Sequence, residues 1–132
     1  MSQSSIAPDP PQLLRAKHLR PGLVPPSSLQ ALGDAVGLRH RAFSQHIALE
    51  EGRCGFFAFL VMAAPRYLSM VEHLRSDHQE LGRALAALRI KIIRAAPEQL
   101  EALLAESDAI ADAIAEHDEL EREMLRDALE TV

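Results

Sequence analysis

The sequence predicts an all-α protein, folded as an up-and-down antiparallel helical bundle. Ala, Leu, Glu and Arg, which favour helices, dominate its 132 residues. Long stretches repeat apolar residues at steps of three and four, the period of an amphipathic helix. The sequence contains neither alternating β-branched runs nor Asn-Gly turns, the patterns that indicate strands and hairpins. The length suits one domain with one hydrophobic core.

An N-terminal extension, residues 1–26, is expected to precede a bundle domain of residues 27–132. Its start is rich in Ser and Pro and is predicted to be partly disordered. Asp9 can cap a short helix that has Pro10 at its first position and runs to about Arg20. The following segment "RPGLVPPSS" must end that helix, because Pro and Gly interrupt helices. The bundle therefore has a short first helix.

Three long helices should follow. The first can be capped by Ser27 or Ser28 and should reach Glu51, where the glycines of "EGRCG" weaken it. Pro65 and Pro97 suit the first turns of the second and third. The apolar stripes of the three long helices are Leu32, Val36 and Phe43; then Val71, Leu74, Leu81, Leu85, Leu88 and Ile92; then Leu100, Leu103, Leu104, Ile110 and Ile114. Helices joined by such tight turns must run antiparallel.

Polar residues interrupt these apolar stripes at matching places. Each long helix carries one histidine in its stripe, namely His46, His78 and His117. Two of these histidines have a glutamate four residues later, Glu50 and Glu121. Side chains at i and i+4 lie above one another on a helix, so each pair can converge on one point.

A metal ion would explain why these groups lie in the core. Burying an ionised glutamate without a partner costs several kcal/mol. Ion pairs offer an alternative, with Arg39 for Glu50 and with Arg122 or a group on a neighbouring helix for Glu121. A cation between the helices would satisfy imidazoles and carboxylates together, and such mixed ligands suit iron, manganese or zinc. With Cys54 as the single cysteine, a thiolate-dominated zinc site is excluded.

The segments "SQHIALEEG", "SDHQEL" and "AEHDELEREML" resemble the hemerythrin-like (HHE) cation-binding domains over about residues 27–131. The resemblance implies a four-helix bundle that holds one or two non-haem iron ions. It also implies roles in dioxygen or nitric oxide binding, iron handling or redox sensing. By resemblance, the metal ligands are His46, Glu50, His78, His117 and Glu121. Glu50 and Glu121 would be the bridging carboxylates.

The sequence also departs from the family pattern. The family usually has a histidine on its first helix, where this chain offers only His18, and often a second histidine on its third. His40 and His73 fall off the faces that carry the expected ligands, so we expect both at the surface. Five ligands would leave a two-iron site incomplete. Such a site could hold one metal, be completed by His18 or a second chain, stay open to an outside ligand, or be vestigial.

Other residues near the expected ligands have simpler interpretations. Glu51 and Asp77 should face solvent, although either could accept a hydrogen bond from an imidazole. Cys54 is expected to be a small buried apolar residue. If metal binds, we expect acidification to release it near about pH 5–6, where free imidazoles take up protons.

Composition and charge limit the partners. A net charge of −5 without a basic face gives no reason to expect nucleic acid binding. No apolar run reaches the ~20 residues that cross a bilayer, and the chain start lacks the features of a signal peptide, so we expect a cytoplasmic protein.

The apolar segment "FFAFLVM" (56–62) belongs to the core or forms an oligomer face. We expect a homodimer. A metal-free helical dimerisation module with a vestigial site is therefore the alternative function. The sequence indicates no catalytic residues and leaves an oxidase or peroxidase-like activity open.

Overall fold

The computed structural model describes residues 26–131, in which all regular elements are helical. The predicted all-α fold is confirmed for this part of the chain. No single helix in it is both long and apolar enough to cross a membrane. Residues 26–131 contain four α-helices: α1 (Leu29–Glu51), α2 (Phe56–Ala63), α3 (Leu68–Arg94) and α4 (Leu100–Thr131).

The helix boundaries follow the predicted stop and start signals. Ser28 caps α1, because its Oγ accepts a hydrogen bond from the backbone N–H of Ala31 at 3.1 Å. The prolines open short 3-10 turns, Pro65–Tyr67 and Pro97–Gln99, that lead directly into α3 and α4. Proline is favoured there because the first turn of a helix leaves its N–H groups unpaired.

A tight connection, residues 52–55, joins α1 to α2. A Cβ at Gly55 would lie 2.1 Å from the carbonyl oxygen of Leu49 and 2.6 Å from that of Glu50, so only glycine fits there. Cys54 is exposed in this connection, so its expected burial is wrong. The helix that would have buried Cys54 ends three residues earlier.

Two apolar clusters lie at opposite ends of the helical core. The first cluster consists of Leu32, Val36, Phe43, Leu85, Leu88, Ile92, Leu103, Ile110 and Ile114. The second consists of Phe57, Leu60, Ala64, Tyr67, Val71, Leu74, Met124 and Ala128. Along α3 and α4 the stripe histidine falls between the two clusters, and along α1 it follows the last residue of the first cluster. The polar residues therefore form a layer between two apolar layers.

The order of the cluster residues along each long helix shows which helices run antiparallel to one another. From its N-terminus, α3 runs from the second apolar cluster to the first, whereas α1 and α4 start at the first. Helix α3 packs against both α1 and α4, while α1 and α4 touch each other only slightly. The three predicted long helices are present in residues 26–131, whereas the short first helix predicted for residues 10–20, which would complete the bundle, lies outside the described residues. The four-helix arrangement therefore stays a prediction.

Candidate metal centre

Buried histidines from three different helices meet in the polar layer. His46 of α1, His78 of α3 and His117 of α4 are 6%, 1% and 4% exposed. Glu50 and Glu121 lie one helical turn after His46 and His117 and point to the same place. One nitrogen or oxygen atom from each residue lies within 4.8 Å of all the others. We call these five residues the donor cluster.

The carboxylate of Glu121 lies between two groups of imidazoles. Its Oε2 is 2.7 Å from Nε2 of His117 and 3.4 Å from Nε2 of His78. Its Oε1 is 3.4 Å from Nε2 of His46. Glu50 approaches from α1, with its Oε1 3.0 Å from Nε2 of His46 and 3.1 Å from Nε2 of His78. Both carboxylates therefore contact imidazoles on different helices.

The donor atoms of this cluster have no hydrogen-bond partner. They are Nε2 of His46, His78 and His117, Oε1 of Glu50 and Oε2 of Glu121, all buried from solvent. Buried polar atoms in proteins are nearly always paired, so when the imidazoles are neutral this group of facing acceptor atoms needs either protons or a cation as its partner. A cation bound to all of them would be such a partner, because each atom presents a lone pair when its imidazole is neutral. The residues therefore fit a metal ion.

The outer nitrogens of two imidazoles are held by carboxylates. Nδ1 of His78 is 2.7 Å from Oε2 of Glu51, and Nδ1 of His117 is 3.3 Å from Oδ2 of Asp77. An acceptor at Nδ1 places the proton there and leaves Nε2 free to bind a metal. Both acids stay partly exposed, as expected. They also take the role of imidazole acceptor that the sequence left open, because α1 and α3 bring them beside these rings.

Aromatic rings fix the orientation of the imidazoles from the apolar side. The ring of Phe57, on α2, stacks on His78 with centroids 5.2 Å apart and an interplanar angle of 16°. Phe43 stacks on His46, with centroids 5.9 Å apart. The short helix α2 thus closes one side of the donor cluster.

The carboxylates change the protonation of the metal-free cluster. Burial disfavours the charged form of His46, but the nearby Glu121 and Glu50 outweigh it and raise the pKa of His46 to about 10. The same carboxylates, with Glu51, raise the pKa of His78 to about 9 against burial. Burial would raise the pKa of Glu121, yet the surrounding imidazoles hold it far below its usual range. When metal is absent, the imidazoles of His46 and His78 are therefore protonated at neutral pH.

Sequence reasoning missed Asp118, which follows His117 on α4. Its side chain is fully buried, and neither of its oxygens has a hydrogen-bond partner. Its Oδ1 lies 4.0 Å from Nε2 of His46. Burial raises the pKa of Asp118 to about 7, despite the opposing effect of His46. The sequence could have indicated this residue, because Asp118 and Glu121 are three residues apart and therefore share a helix face.

The other histidines lie away from the cluster. His40 lies 3.3 Å from Arg89, and the exposed His73 lies 3.6 Å from Asp77. His18 lies outside the described residues. The ion pair that we considered between Arg39 and Glu50 does not form; Arg39 instead donates a hydrogen bond to Oγ of Ser107 on α4, at 3.5 Å.

Comparison with known families agrees with the geometry of the site. A sequence model of the hemerythrin HHE cation-binding domain matches residues 12–129. The chain belongs to this family. The resemblance that we found in its histidine and glutamate segments is thereby confirmed. No curated protein and no solved structure matches the chain. Membership of the hemerythrin HHE family and the convergence of the donor cluster support a metal-binding helical protein.

Proposed function

We propose that this hemerythrin HHE domain holds a pair of non-haem iron ions between its helices. We further propose that it uses them to bind dioxygen or nitric oxide, to handle iron or to sense redox state. One observation carries the proposal: five buried donor atoms from three helices converge within 4.8 Å without hydrogen-bond partners. Without a cation, these atoms can pair only if the imidazoles take up protons, because the carboxylate oxygens that face them at 2.7–3.4 Å offer no donor.

The chemistry of the donors limits the choice of metal. Three imidazole nitrogens and carboxylate oxygens form a mixed set that suits iron, manganese or zinc, while calcium and magnesium prefer oxygen alone. The resemblance to the family favours iron among the three. A bound iron pair would supply reversible redox chemistry and affinity for small diatomic ligands.

The position of Glu121 supports a pair of ions over a single ion. Its two oxygens face different imidazoles, with His78 and His117 on the side of Oε2 and His46 on the side of Oε1. A carboxylate between two donor groups can bind one cation with each oxygen, the arrangement typical of two-metal sites. We therefore propose that Glu121 bridges the two positions.

A pocket beside the donor cluster is a candidate entry site for the ions. A cavity of about 300 Å³ lies between α3 and α4, and His117 forms part of its wall. Three acids, Asp77, Glu80 and Glu116, line the same cavity. Negative charge in a cleft raises the local concentration of cations. We propose that metal ions enter here.

Metal analysis tests the proposal. The protein is purified aerobically, and a second sample is reconstituted anaerobically with Fe(II); metal content and the ultraviolet–visible spectrum are measured for both. We expect stoichiometric metal in the wild type and a large loss in His78→Leu. His40→Leu is the matched control, because His40 contacts Arg89 instead of the donor cluster. Metal far below one ion per chain in the reconstituted wild type would end the proposal.

Exposed apolar residues favour a second candidate, the metal-free dimerisation module. Phe57 and Leu60 of the segment 56–62 are buried in the second apolar cluster, but Met62 is 86% exposed and Leu49 on α1 is 71% exposed. Such side chains can form an interface between copies of the chain. Light scattering measures this directly, and a dimer that forms without metal would favour the second candidate.

A further inference from the structure

The fully buried Asp118 has no hydrogen-bond partner, and its contact with His46 is a long one, at 4.0 Å. Neither oxygen accepts a hydrogen bond, although the side chain is 0% exposed. A buried carboxyl in this state costs several kcal/mol. A leucine at this position of α4 would avoid this free-energy cost, because it has no polar atoms to bury. Asp118 is also absent from the five residues whose donor atoms lie within 4.8 Å of one another.

Asp118 lies on the side of the donor cluster that has the fewest ligands. Oε2 of Glu121 faces two imidazoles, those of His78 and His117. Oε1 of Glu121 faces only His46. Because Asp118 precedes Glu121 by three residues, it lies on the same face of α4 and reaches toward His46. Asp118 would give this side a second unshared donor.

The distance between Asp118 and His46 suits ligands of one cation. Oδ1 of Asp118 is 4.0 Å from Nε2 of His46. Metal bonds to imidazole nitrogen and carboxylate oxygen are about 2.0–2.2 Å long, so two ligands of one ion lie at most about 4.2 Å apart. A cation between these two atoms is therefore possible without moving either helix.

We propose that Asp118 is a metal ligand that completes the second cation position, together with His46 and Oε1 of Glu121. This inference rests on the proposed function, since it needs a metal in the donor cluster. It assigns the first position to His78, His117 and Oε2 of Glu121. Glu50 contacts His46 on one side and His78 on the other, so it is shared.

The test counts bound ions without relying on activity. Metal-free protein is titrated with Mn²⁺, and the bound metal is measured by elemental analysis after equilibrium dialysis. We expect about two ions per wild-type chain and about one per Asp118→Asn chain. Asp112→Asn is the matched control, because it makes the same substitution at an exposed position of the same helix. This control should retain about two ions.

A spectroscopic measurement on the unmodified protein covers the case in which Asp118→Asn fails to fold. Two Mn²⁺ ions that share a bridging carboxylate couple magnetically, and the six-line electron paramagnetic resonance signal of isolated Mn²⁺ is lost. We expect this loss in the wild type at full loading. Asp118→Leu provides a second variant, since a buried acid can be replaced by an apolar residue of similar size without loss of stability. It should show the uncoupled signal of one ion.

The outcomes separate this inference from the proposed function. If Asp118→Asn and Asp118→Leu still bind two coupled ions with wild-type affinity, the role of Asp118 is overturned while the metal site stands. If the wild type binds a single ion, the second position and the role of Asp118 are overturned together. If the wild type binds none, the proposed function itself fails.

Discussion

Metal binding to this site should release protons at neutral pH. In the metal-free protein, the pKa values of His46 and His78 are raised to about 10 and about 9 by the nearby carboxylates. Both imidazoles are therefore charged at pH 7.5. A metal ion binds only the neutral imidazole, so each ring must lose its proton when metal enters.

The size of the effect follows from these two pKa values. At pH 7.5, groups with pKa values of about 10 and about 9 are each roughly 97% protonated or more, so about two protons leave on binding. The apparent affinity should then fall roughly 100-fold, or about 2.7 kcal/mol, for each unit of pH below 8. Protons should therefore compete with metal for these imidazoles at a pH well above the range of about pH 5–6 that is expected for free imidazoles.

Isothermal titration calorimetry measures the released protons, when the same titration is repeated in buffers of different ionisation enthalpy. Glu121→Gln is the informative variant, because it removes the carboxylate that contacts all three imidazoles and should lower both metal affinity and proton release. A release of less than about one proton by the wild type at pH 7.5 would refute the reasoning. It would mean that the imidazoles are already neutral in the metal-free protein.

Three further predictions concern the surroundings of the donor cluster. Glu51→Gln should lower metal affinity about 10–100-fold in a chelator competition, because Nδ1 of His78 loses its charged acceptor. Gly55→Ala should lower the free energy of unfolding by about 1–3 kcal/mol and reduce metal occupancy, because its Cβ would push against the backbone of Glu50. In contrast, Gly82→Ala should raise the free energy of unfolding by about 0.5–1 kcal/mol, since open space surrounds that position inside α3. Chemical denaturation with metal present and absent checks both glycine variants.

Clear results would contradict these predictions as well. Unchanged affinity in Glu51→Gln would mean that the contact with His78 does not support the imidazole as a ligand. A Gly55→Ala protein as stable as the wild type would show that the connection 52–55 relaxes without disturbing Glu50. If Gly82→Ala were strongly destabilising, the space around a Cβ at Gly82 would have to be occupied.

The local pattern of the sequence determined the helices and the inward direction of the expected ligands. Apolar spacing, the Ser28 cap and the prolines at 65 and 97 act within one or two turns of the chain, so they can be recognised without tertiary contacts. For the same reason, the pairs His46 with Glu50 and His117 with Glu121 could be found from their spacing alone.

Only the tertiary structure decided which groups meet across helices. The approach of Glu51 to His78, the two-sided contact of Glu121 and the complete burial of Asp118 all depend on how α1, α3 and α4 are rotated about their axes. The apolar stripe of a single helix is broad, so the sequence pattern alone does not fix the rotation of the helix more closely than the width of that stripe. A change of about 100°, which is one residue, converts a solvated acid into a buried one beside a metal site.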